Sequence, residues 1–149
     1  MSEVFTALQV VMMPRDANPN VGMVHSPKGT PYFLYNTIFG GVILSYIDMA
    51  GAMAAKREAL RLNRENRSLF VTVAMNRIEF KKPVLVGDIV RFETTIVRVG
   101  RTSITVHVNV IAQRHLEIIN VTEAEATFVG VDPDSSERRA LPLLPEAQS

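Results

Sequence analysis

The stretch "FGGVILSYIDMAGAMAAKRE", Phe39 to Glu58, decides the reading of the chain. Between Phe39 and Lys56 it holds one charged side chain, Asp48. Val42, Ile43, Ile47, Ala50, Ala54 and Ala55 recur at helical spacing and cover most of a helix circumference. That pattern predicts a long helix enclosed by the rest of the fold. It is expected to start at Gly40–Gly41 and to end near Leu62 or Asn63, with Lys56, Arg57, Arg61 and Arg64 at the negative end of its dipole. A lone carboxylate removed from water is costly unless something compensates it, so Asp48 needs a reason to be there.

The flanking sequence supplies what surrounds this helix. Val4 to Met13 is apolar with β-branched members and reads as a strand, followed by loop chemistry in "PRDANPNVGMVHSPKGTP", Pro14 to Pro31. After the helix come four strand-like runs, Phe70–Lys82, Ile89–Val99, Thr102–Arg114 and Val121–Val131. Ile104, Val106, Val108 and Val110 alternate with Thr105, His107 and Asn109, while Gly87-Asp88 and Gly100-Arg101 mark turns. The tail "DPDSSERRALPLLPEAQS", about residues 132–149, is expected to lie along the surface. One domain over residues 1–149 is expected, an α+β arrangement of one long helix wrapped by a curved antiparallel sheet of about five strands.

Composition narrows the function classes. The chain has 149 residues, 47% hydrophobic and 21% charged, which suits an ordinary globular protein with a real core. Its formal charge of +1 provides no global field for nucleic acid or membrane, so neither is an expected partner. Cysteine is absent, which removes disulfides, thiol nucleophiles and Cys-ligated zinc and fits a cytoplasmic location. No basic-then-apolar leader opens the sequence, and Asp48 interrupts the long uncharged run, so neither export nor a membrane span is expected. His25, His107 and His115 have no metal-ligand spacing, no metal is expected, and no dinucleotide or phosphate glycine loop is present. Met12, Met13, Met49, Met53 and Met75 read as core or tunnel lining.

Two readings of Asp48 stand at this point. In one it is structural, hydrogen-bonded to a loop or a partner subunit. In the other it works with the helix start. Gly41 and Asp48 lie seven positions apart, about 700° of rotation, so they share a helix face and are separated by about 10 Å along the axis. A Gly-Gly helix start leaves backbone N–H groups open at the positive dipole end, where they can hold the oxyanion of an attacked acyl carbonyl. A carboxylate on that face can act as general base for water or attack directly, which makes acyl transfer to water the concrete proposal.

The segments "FGGVILSYIDMAGAMAAK", "VTVAMNRIEFKKPVLVGDIV", "VGRTSITVHVNV" and "VDPDSSERRALP" together resemble the hot-dog-fold acyl-CoA thioesterases of the bacterial YciA type, relatives of the mammalian cytosolic acyl-CoA hydrolases, over about Leu8 to Pro142. The resemblance implies hydrolysis of acyl-CoA to a free acid and coenzyme A without a metal or other cofactor. It assigns the catalytic carboxylate to Asp48 in "IDMAG" and the carbonyl-facing amides to Gly40 and Gly41. It also implies an asparagine acting across a dimer interface, matched by Asn18 in "RDAN". This chain departs from the pattern by an insertion at about residues 21–35, which would displace Asn18 and leave Asn36 as the nearer substitute; Asn18 is preferred. The insertion carries Tyr32, Phe33 and Tyr35 and either caps the acyl tunnel or forms an ordinary solvent loop.

Coenzyme A brings phosphates and an adenine, so basic side chains near a groove mouth matter. Lys81, Lys82, Arg98, Arg101 and Arg114 are candidates, with Ser103 as a hydroxyl donor and Phe39 as a further substrate contact; solvated strand-end charge is the plain alternative. Two other functions fit the fold: a non-catalytic acyl-CoA-binding module, and a hot-dog hydratase or dehydratase, which is disfavoured because no His lies between Gly40 and Gly51. A five-stranded sheet around one helix leaves an edge and an open face to cover, and the resemblance implies homodimers assembled three to a hexamer.

Overall fold

The computed structural model describes residues 3–18, 23–25, 28, 31–33 and 37–145. In chain order the elements are β1 (Phe5–Val11), a 3-10 turn (Pro14–Asp16), β2 (Met23–His25), β3 (Pro31–Phe33), α1 (Gly40–Leu62), β4 (Leu69–Met75), β5 (Ile89–Val99), β6 (Ser103–Arg114) and β7 (Glu117–Val131). Five strands form one antiparallel sheet in the order β1-β5-β6-β7-β4, and β2 pairs with β3 alone. Helix α1 packs against all five strands of the large sheet. This is the α+β arrangement expected of the sequence.

Alternation in β6 fixes which face of the sheet takes the helix. Ile104, Val106, Val108, Val110 and Ala112 are fully buried, and cross-strand neighbours Phe92 and Phe128 join them in the core. The matching helix stripe is Ile43, Ile47, Ala50, Gly51, Ala54, Ala55 and Ala59, small where helix and sheet come closest. A Cβ on Gly51 would stand 2.6 Å from the Phe128 ring, so glycine is what lets the helix settle onto β7 there. Each buried Ile or Phe contributes about 1.5–3 kcal/mol relative to exposure.

The sheet covers one side of α1. Leu44, Met49, Met53 and Leu60 remain exposed in the single chain, so the enclosure expected from the all-round apolar pattern is only half supplied. The physical reason is that five strands curl around one stripe of the helix and stop at β4. The predicted run Phe70–Lys82 ends as a strand at Met75, where the chain leaves β4 and crosses β7. Asn76 holds Glu125 in both directions at 3.0 and 2.8 Å, and the Thr122 hydroxyl donates to the Glu79 carbonyl at 2.7 Å. Both predicted turns form: Gly100 N–H donates to the Ser103 carbonyl at 2.7 Å, and Gly87 takes φ +94°, a conformation glycine adopts without strain.

The insertion closes on itself at its base. Ala17 bridges Ile38, and Asn18 N–H donates to the Thr37 carbonyl at 2.8 Å. The β2–β3 pair lies within it, whereas Tyr35 and Asn36 fall outside the described residues. The tail is largely exposed over 133–140 and then turns inward: Leu141 N–H reaches the Gly130 carbonyl at 2.8 Å, and Leu143 is 1% exposed. Its "LPLL" stretch is therefore a core contribution from an otherwise surface segment.

Gly51→Ala tests the helix–sheet contact. The methyl improves helix propensity by about 1 kcal/mol but overpacks against Phe128 at a cost of about 1–3 kcal/mol. Denaturant unfolding should show a net loss of stability; an unchanged or raised midpoint would mean that Phe128 moves aside freely.

Candidate active site

Asp48 lies in the first half of α1, at the margin of the buried stripe, and is half-buried. The hydroxyl of Thr72, on β4, donates a hydrogen bond to its Oδ1. A bulge interrupts the β4–β7 register between Thr72 and Ala74, and such bulges re-aim the side chains beside them. β4 is also a terminal strand of the sheet order, so the carboxylate sits at a seam between the helix and a free sheet edge. It is a hydrogen-bonded group at a rim, not a charge sealed in the core. A hydrogen bond to an ionised partner contributes about 1.5–3 kcal/mol. Sequence reading did not find Thr72, because a threonine inside a β-branched run is ordinary strand composition and the contact spans 24 positions.

Gly40 and Gly41 open α1. Phe39 is the capping residue, in extended conformation; no side chain caps the first turn, and that turn holds no acidic residue. The Phe39 ring lies over Gly41, where a Cβ would meet it at 2.7 Å, and the Phe80 ring flanks Gly40 at 3.8 Å. N–H groups at a positive dipole end, here walled by two half-exposed aromatic rings, are able to stabilise a negative charge.

Asn18 is held at this same end. Its backbone bond to Thr37 and the bond from Phe39 N–H to the Asp16 carbonyl at 2.9 Å pin residues 16–18 beside the residues that open the helix. These contacts leave Asn18 next to the helix start. Lys82 is exposed at this end too, since Lys81 N–H bonds the Val121 carbonyl at 2.8 Å. Arg98, Arg101 and Ser103 lie at the opposite end. Ser103 pairs with Val129, eight residues along β7 from Val121 or about 26 Å. One chain therefore does not gather the proposed nucleotide contacts into one patch. Arg114 is committed elsewhere: its guanidinium forms a two-pronged ion pair with the buried Asp88 at 2.9 and 2.8 Å, so it is not a phosphate contact.

Helix geometry sets a further limit. Gly41 and Asp48 share a face, but seven residues of rise separate them by about 10 Å. A reacting carbonyl needs donors and attacking group each within about 3–3.5 Å. For direct attack by the carboxylate, the amides of the same helix are too distant to meet it on a single thioester carbonyl. A cleft of about 560 Å³, lined by Phe5, Ala54, Arg57, Arg61, Thr94 and Ile96 among others, opens on the other side of the helix. Arg57 lies nine positions from Asp48, half a turn away in angle, so this cleft does not serve the carboxylate. Among the described residues no group of three or more His, Asp or Glu is placed to hold a metal ion, and no helix is long and apolar enough to cross a membrane.

Comparison with known proteins places this arrangement. The thioesterase superfamily model matches residues 35–119. The acyl-CoA thioester hydrolase YciA of Escherichia coli is 32% identical over 145 residues, covering 91% of this chain and 89% of that protein. A hexameric hotdog-fold thioesterase of Campylobacter jejuni superposes with a TM-score of 0.68 at 38% identity, covering 92% of this chain and 88% of that one. A hexameric broad-specificity acyl-coenzyme A thioesterase gives 0.72 at 31% identity, covering 98% and 85%. The chain belongs to the thioesterase superfamily and has its hot-dog fold.

Proposed function

We propose that this protein hydrolyses acyl-CoA to a free carboxylic acid and coenzyme A, with Asp48 as the catalytic carboxylate. The observation that carries this reading is the Asp48 carboxylate held by the Thr72 hydroxyl at an open seam, in a chain whose similar proteins are acyl-CoA thioester hydrolases. As general base, Asp48 takes a proton from water while the hydroxide attacks the thioester carbonyl. The oxyanion rests on the amides of Gly40 and Gly41, and collapse releases the coenzyme A thiolate, which takes up the proton. As nucleophile, Asp48 attacks first, and water then cleaves the resulting anhydride. Neither route needs a metal or organic cofactor, since coenzyme A is part of the substrate.

The 10 Å separation along α1 supports a site shared between two chains. In this reading the helix-start amides and Asn18 of one protomer meet Asp48 of the other. A homodimer formed along the free edge of β4 would also cover Leu69 and Val73 on that strand and Met49 beside Asp48, all exposed in the single chain. Three such dimers make a hexamer, in keeping with the hexameric relatives. Lys82 from one end and Arg98, Arg101 and Ser103 from the other then contribute to coenzyme A binding around the interface, with Phe39 against the acyl group. The absence of cysteine fits a cytoplasmic setting.

Asp48→Asn should lower kcat on butyryl- to palmitoyl-CoA by about 10²–10⁴-fold, followed by thiol release. Thr72→Val, which keeps the shape and removes the donor, should cost about tenfold. Wild-type rates in Asp48→Asn would remove it from the chemistry. In a single turnover in ¹⁸O-water, label in the Asp48 carboxylate shows an anhydride opened at the Asp48 carbonyl, whereas direct attack by water puts the label in the released acid.

The interface is tested independently by light scattering after gel filtration. Met49→Arg and Val73→Arg should yield smaller species than the wild-type assembly. A hexamer unaffected by both would place the contact elsewhere.

A further inference from the structure

We propose that the ion pair between Asp88 and Arg114 is the positioning device of the proposed site, holding the helix-start amides and Asn18 in register through the loop Pro83–Asp88. It rests on the acyl-CoA hydrolase reading for its kinetic consequence, though not for its structural one. The Asp88 carboxylate is 2% exposed and takes three hydrogen bonds: two from the Arg114 guanidinium and one from Leu85 N–H at 2.9 Å. The same guanidinium donates to the Pro83 carbonyl at 3.2 Å. One charge pair, from the end of β6 and the start of β5, thus fixes both ends of the loop between them.

That loop is what the helix start hangs on. Ile38 N–H donates to the Val84 carbonyl at 2.8 Å, and Thr37 bridges Leu85. Two residues later the helix opens at Gly40. On its other side the loop holds the end of β1, with Met12 N–H on the Asp88 carbonyl at 2.9 Å and Gly87 N–H on the Met12 carbonyl at 2.8 Å. From Met12 the chain runs through the 3-10 turn to Asn18, which bonds back to Thr37. The two candidate groups therefore share one anchor, which is two-pronged and buried on its acidic side. The hydrogen bonds that the Arg114 guanidinium donates to the Asp88 carboxylate hold its pKa above the ordinary value. A two-pronged contact fixes direction as well as distance, which a lysine cannot reproduce.

The test is Arg114→Lys, which keeps the charge opposite Asp88 and loses the fork, with Asp88→Asn as the stronger variant. Two readouts are taken on the assembled protein: acyl-CoA hydrolysis, and the amide resonances of ¹⁵N-glycine-labelled samples. In Arg114→Lys, kcat should fall by about tenfold or more with KM changed by about threefold at most. The Gly40 and Gly41 resonances should shift, while Gly51 in mid-helix and Gly130 on β7 stay in place. Unmoved Gly40 and Gly41 resonances, or an undiminished kcat, would overturn the assignment, as would equal shifts at all four glycines. If Asp88→Asn does not fold, Arg114→Lys decides. If wild-type protein hydrolyses no acyl-CoA, the functional reading fails by itself, and the glycine shifts alone decide the positioning role.

Discussion

A helix rises about 1.5 Å per residue, and this sets the backbone of Asp48 about 10 Å along the axis from the amides that open the same helix. Much of the structure can be understood from that separation. The carboxylate lies where α1 meets the free edge strand β4 and is held there by the Thr72 hydroxyl. The amides lie at the far end, walled by Phe39 and Phe80, beside the pinned segment 16–18. Neither half is complete for the chemistry proposed, and the half-covered helix and unpaired strand edge are the surfaces along which a second copy can complete it.

The same geometry explains why a charged residue is tolerated in an otherwise apolar helix. A fully desolvated carboxylate carries a penalty of several kcal/mol, which a single hydroxyl would not offset. At the margin of the buried stripe the penalty is partial, and one hydrogen bond from Thr72 is a sufficient partner. The chain does bury one carboxylate almost completely, Asp88, and there it supplies a full guanidinium and a backbone amide as compensation. Two acids in one fold thus meet two environments: one is buried and paired, the other hydrogen-bonded at a rim.

How far the sequence revealed this depends on the range of each interaction. Periodicity located α1 and the strands β5 and β6 closely, because helix and strand patterning are local and the buried faces are strongly apolar. Gly87 and Gly100 announced their turns for the same reason. Asp48 was visible as the lone charge in an apolar run. What stayed hidden needed contacts between distant positions. Thr72 looked like any strand threonine, Arg114 looked like a free cation until Asp88 appeared beside it, and Leu143 looked like part of a surface tail. The apolar circumference of α1 also misled in part. One chain covers only part of it, since Met49 and Met53 are exposed. Asn36 lies outside the described residues, so the structure places Asn18 alone of the two candidates.

The central claim, that one site draws its carboxylate and its oxyanion amides from two chains, is tested most directly by subunit complementation. Chains bearing Asp48→Asn and chains bearing Gly40→Pro, which deletes one amide at the first helical position, where proline is favoured, are co-expressed with different tags and purified as mixed assemblies. If the site is shared, each mixed dimer contains one intact site beside one doubly defective site, and mixed assemblies recover about half the wild-type activity per dimer, from parents that are each nearly inactive. If both groups act within one chain, every site in the mixture carries one lesion, and no recovery above the parents would contradict the account.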